Sequence, residues 1–150
     1  MTRSNARELA LHLIYGREFT GDEPDKYVSA RLDKDYYGLL AQEYELYSER
    51  PSRSQIAYID KVVTGVANRG EELDSLISKY SIGWDISRIS RICRTILRLA
   101  IFEILYLEDV PTGVAISEAV RMAKAYDGDE SGAFVNGILG SYARGLSAEE

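Results

Sequence analysis

Hydrophobic residues recur at intervals of three and four along nearly the whole chain. Ala6, Leu9, Ala10, Leu13 and Ile14 form the first such stripe, and that period predicts an amphipathic helix with one buried face. Thr2 or Ser4 is placed to cap its start. TGDEPD, at 20–25, breaks the period and reads as a loop. Residues 26–50 predict two short helices, with Tyr36, Leu39, Leu40 and Tyr44 as a buried stripe. RPSRS then marks a boundary, and Ser52 or Ser54 can cap the next helix. From Gln55 to Tyr80 the period returns in Ile59, Val62, Val63, Val66 and Ala67, then Leu73, Leu76 and Ile77. Gly70 predicts a kink or break there, and Gly65 a close approach of a neighbouring helix. SIGWDIS reads as a turn into a short helical piece anchored by Trp84.

The strongest helix is predicted over 90–107, on Ile92, Ile96, Leu99, Ala100 and Ile104. EDVP stops it, and Pro111 suits the first turn of the next helix. Ala115, Ala119, Val120 and Ala123 carry that helix to about Tyr126. YDGDESG is a turn with an acidic entry to a last helix, which Asp129 or Ser131 can cap. No segment alternates as a strand would. The expectation is an all-α bundle of six to eight helices, about seven.

A chain of 150 residues, 45% of them hydrophobic, is the size of one ordinary domain and can bury a core. Its longest apolar run, TILRLAIFEILYL, is interrupted by Arg98 and Glu103 and is too short for a bilayer. The N-terminal stretch is amphipathic, broken by His12, and lacks a signal-peptide pattern. A cytoplasmic protein without a membrane partner is expected. The single Cys93 lies within an apolar helical run, where a thiol acts as a small hydrophobe. One Cys and one His cannot make an ordinary zinc site, so no metal is expected. Phosphate-binding glycine loops, dinucleotide fingerprints and nucleophile elbows are all missing from the sequence. No cofactor and no catalytic residue are expected; the chain reads as a binding protein, not an enzyme.

The net charge of −6 argues against general affinity for polyanions. Its distribution changes that picture. Residues 20–50 hold four basic and eight acidic side chains, residues 51–98 eight and five, and residues 99–150 three and nine. Arg88, Arg91, Arg94 and Arg98 fall within about 120° of helical arc. That stripe is either a solvated, ion-paired face or a contact for phosphates or an acidic partner. Arg3 and Arg7 sit four apart at a helix N-terminus, where the macrodipole disfavours cations. An anion docked there would reward the placement, since it meets arginines, backbone N–H groups and the dipole together.

Several stretches, in order, resemble the NusB family of bacterial transcription antitermination factors. ARELALHLIY resembles its opening helix; ILRLAIFEILYLEDVPTGVAISEAVRMAKAY and SGAFVNGILG resemble its second half. The likeness is weakest over residues 20–55. It implies two packed helical subdomains, about 1–80 and 81–150. It also implies binding of boxA-type RNA jointly with a small-subunit ribosomal protein (NusE), within the transcription elongation complex, as monomer or homodimer. Carried over residue by residue, the implied RNA contacts are Arg3, Arg7, Tyr15, Phe134 and Asn136. Phe134 and Val135 read equally well as helix packing, and the resemblance places Asn136-Gly137 near the start of the last helix. Glu103, Glu108, Asp109 and Glu118 are candidates for attracting the basic ribosomal protein. Cys93 and Ser117 stand where the family often has an acidic residue and an asparagine, and other departures thin the cationic surface: Ser4 and Asn5 interrupt the arginines, and Ala133 replaces a common lysine. The thinned cationic surface predicts weak RNA binding alone, with the partner supplying much of the affinity.

Overall fold

A computed structural model describes residues 1–81, 83, 87 and 89–149. Among them are eight α-helices, one 3₁₀ turn and no strand. They fall into two compact units, Met1–Asn68 and Arg69–Glu150. Trp84 and Arg88 lie outside the described residues.

The first unit holds α1 (Arg3–Thr20), α2 (Pro24–Arg31), α3 (Lys34–Leu40), a 3₁₀ turn (Glu45–Ser48) and α4 (Arg53–Asn68). Helix α1 packs on α4 and α2, and α2 packs on α4. Buried Leu9, Leu13, Ile59, Val62 and Val63 follow the predicted stripes. Thr2 caps α1, its Oγ1 accepting from the Asn5 N–H at 3.0 Å. Ser52 opens α4 with a reciprocal pair: its Oγ accepts from the Gln55 N–H at 3.3 Å, and its own N–H donates to Gln55 Oε1 at 2.9 Å. Gly21 ends α1 at φ 70°, a left-handed position that favours glycine.

The stripe expected between α2 and α4 is not buried as predicted. Leu39 is 64% and Tyr44 53% exposed, and Tyr36 and Leu40 are half-buried. Tyr37 and Tyr47 are buried instead, and the Tyr37 hydroxyl donates to the Glu49 carbonyl at 2.8 Å. Seven residues make only two turns, too few for periodicity to fix which face turns inward.

The second unit holds α5 (Gly70–Tyr80), α6 (Arg91–Tyr106), α7 (Thr112–Asp127) and α8 (Asp129–Glu149). Its core includes Leu73, Ile77, Ile96, Leu99, Met122, Ile138 and Leu139. Helix α7 packs on α6 and α8, and α5 on α6 and α8. Gly70 is a break: α4 ends at Asn68 and α5 starts at Gly70. The unit boundary therefore comes one helix earlier than the sequence places it, because α5 belongs with α6 and α8. A bidentate ion pair reinforces that grouping, with Arg98 Nε and Nη2 donating to Asp74 at 2.7 Å each. Ser90 caps α6, accepting from the Cys93 N–H at 3.1 Å while donating to Asp127 Oδ2 at 2.8 Å.

Candidate nucleic-acid interface

The first turn of α1 presents Arg3 to solvent, its guanidinium carbon 4.0 Å from the centroid of the Tyr58 ring on α4. That stacking holds the cation in place at the surface. Arg7 differs: it is only 3% exposed. The two-arginine hook expected from their i, i+4 spacing is therefore corrected to a single surface arginine. The cause lies in the helix itself. Leu11 and Ile14, four and seven residues on, are buried and put Arg7 on the apolar face. Tyr15 is half-buried, its ring edge-on to Phe19 at 5.1 Å. Phe19, 61% exposed, lies just beyond the apolar stripe. Sequence reasoning missed it as a candidate, and its i+4 spacing from Tyr15 is the signal that could have found it.

In the second unit the FVNG stretch lies in the second and third turns of α8. Phe134 and Val135 are buried, so their packing reading holds. Asn136 and Gly137 face solvent. A Cβ on Gly137 would meet nothing within 4 Å, so the fold's own packing does not require glycine there. An external backbone or base can approach closely beside the Asn136 amide.

The other charged candidates divide by position. Arg91 and Arg94 are exposed, whereas Arg98 is committed to Asp74. Glu103 is fully buried, which removes it from any acidic docking surface. It lies four residues after Leu99 and seven after Ile96, on the buried stripe of α6. Glu108 and Asp109 are exposed in the turn after α6. Glu118 is half-buried and ion-paired with Arg121 at 2.8 Å. Desolvation and, second, the charge of Asp127 push the buried Cys93 thiol up to about 12, so it stays protonated. Among the described residues no three His, Cys, Asp or Glu side chains gather into a metal-holding group. Nor is any helix among them long and apolar enough to cross a membrane.

The NusB family pattern matches residues 4–144. The chain belongs to the NusB family. A transcription antitermination protein NusB from Acetivibrio thermocellus is 42% identical over 144 residues, covering 96% of this chain and 90% of the relative. The fold is that of NusB from T. maritima, with a TM-score of 0.71, 30% identity, and coverage of 96% and 92% of the two chains. A structure of antitermination factors NusB and NusE in complex with dsRNA shares the fold at a TM-score of 0.72 and 24% identity, covering 95% of this chain and 96% of that one. Tyr15, Phe134 and Asn136 fall within the span matched to the NusB family, and Arg3 lies just ahead of it.

Proposed function

We propose that this chain is an RNA-binding transcription antitermination factor, acting on boxA-type RNA together with the ribosomal protein NusE in ribosomal RNA operons. The observation that carries the reading is the NusB family match across residues 4–144. The exposed chemistry supports it. Arg3 supplies a phosphate contact, the Tyr15–Phe19 edge a stacking surface, and Asn136 beside Gly137 an amide at an open backbone. Arg7, Phe134 and Glu103 serve the fold from within. Glu108 and Asp109 remain for a basic partner. In this reading the protein is a cytoplasmic binding subunit and not an enzyme. Gel-shift titration with boxA-type RNA tests the surface: Arg3→Ala and Asn136→Ala each weaken binding severalfold at unchanged melting temperature. Wild-type affinity in both variants would reject these contacts.

The burial of Arg7 favours a second reading, a protein-interaction module with weakened or lost RNA binding. It predicts NusE binding that is indifferent to RNA. A large RNA-dependent gain in NusE affinity, abolished by Arg3→Ala, rejects it.

A further inference from the structure

A cavity lies inside the first unit. It measures about 310 Å³ and is lined by His12, Tyr27, Arg31, Tyr36, Tyr44 and Tyr47, with two leucines. Tyr27 and Tyr47 are buried at its base, and Tyr44 is exposed at its rim. Its volume lies at the lower edge of the ~300–1,000 Å³ usual for ligand pockets, which suits one small planar ligand. Three members of the stripe predicted from the sequence line it: Tyr36, Leu40 and Tyr44.

The lining states what would fit. Four tyrosine rings offer π faces and hydroxyls. The guanidinium of Arg31 lies over two of those rings, 4.8 Å from the Tyr27 centroid and 5.0 Å from that of Tyr36, and donates from Nη1 to the Tyr36 hydroxyl. Five N–H donors leave such a group able to take a phosphate as well. His12 contacts the Tyr47 hydroxyl through Nδ1 at 3.2 Å, and burial drives its pKa down, so it brings hydrogen-bonding capacity without charge at neutral pH. Among the described residues no carboxylate lines the cavity, although the surrounding residues 20–50 hold eight acidic side chains. Arginine without acid repels a cationic ligand, so a quaternary ammonium does not fit this aromatic cage. A flat base carrying a phosphate does.

We propose that this cavity is a nucleotide-binding site, with the base stacked against the Tyr36 and Tyr44 rings and the phosphate on Arg31. The nucleotide comes either from an unpaired RNA strand or free from solution. The first source extends the RNA reading above; the second stands without it.

Calorimetric titration of the full chain with uridine and adenosine 5′-monophosphates, alongside anisotropy with a labelled single-stranded RNA, decides between them. Tyr44→Leu removes an exposed ring and leaves the fold intact by melting temperature; Arg31→Gln removes the charge. Tyr44→Leu weakens binding about tenfold, the usual cost of one lost base stack, and Arg31→Gln weakens it severalfold through the lost phosphate contact. Loss with the mononucleotides identifies a free nucleotide, and loss with RNA alone identifies a strand. Arg3→Ala leaves mononucleotide binding unchanged. Wild-type affinity for every probe in both cavity variants overturns the proposal, as does a wild-type chain that binds none of them. RNA binding that falls with Arg3→Ala but not with Tyr44→Leu overturns the cavity and leaves the antitermination reading standing. Mononucleotide binding without any RNA binding does the reverse.

Discussion

Glu103 and Glu108 are the same residue type close together, yet one is fully buried in α6 and the other exposed in the turn after it. Glu103→Lys therefore costs about 3–5 kcal/mol, because it places an uncompensated cation in the core. Glu108→Lys stays within about 0.5 kcal/mol. Urea denaturation of the two variants checks the contrast. Arg7 follows the same logic, and for both residues helical period is a better guide than charge. Their burial is legible in the spacing to Leu11, Ile14, Ile96 and Leu99. His12 adds a pH effect. Burial drives its folded pKa below the ordinary 6.5, against an opposing pull from Glu8. A base depressed in the folded state binds its proton more readily when unfolded. Stability contributed by neutral His12 is thus complete above about pH 6.5 and falls as pH drops toward the folded pKa. As His12 is the only histidine, His12→Gln flattens this part of a melting-temperature profile.

At the scale of the element, two glycines separate structural from interfacial demands. Gly21 closes α1 at φ 70°, so Gly21→Ala destabilises by about 1 kcal/mol. Gly137 sits in the helical interior of α8 with open space around its missing side chain. Gly137→Ala should raise stability by about 0.5–1 kcal/mol and yet weaken RNA binding if a ligand approaches there. Thermal melts and RNA titrations of that one variant read both effects. The long helices were legible because four or more turns of stripe fix their inward faces, as in α1, α4 and α6. Helix α3 was not, since its two turns allow either Tyr36 or Tyr37 to face inward and long-range contacts, such as the Tyr37 hydroxyl to Glu49, make the choice. The place of α5 was hidden for a related reason. Its apolar face continues that of α4 in sequence, and only Asp74 meeting Arg98 and the packing on α6 and α8 assign it to the second unit.

For the whole molecule, charge sets the terms of binding. A chain at net −6 with one described arginine, Arg3, displayed on the first turn of α1 makes few phosphate contacts. A plot of log affinity against log salt should therefore have a slope of about −2 or shallower, as about three contacts to single-stranded RNA give. In the proposed reading much of the binding free energy then comes from the second protein, for which exposed Glu108 and Asp109 are the candidate contacts. The family was legible from ordered motifs across the chain, whereas the Tyr-lined cavity was not, because it is assembled from residues of α1, α2, α3 and the following turn that are far apart in sequence. The proposed function requires cooperative recognition of RNA by this chain and NusE. Fluorescence anisotropy of a labelled boxA-type RNA, titrated with this protein alone and with NusE present, tests it most directly. The expected result is weak binding alone and at least a tenfold gain with NusE, lost in Arg3→Ala. Absence of binding in both titrations at low salt would contradict it.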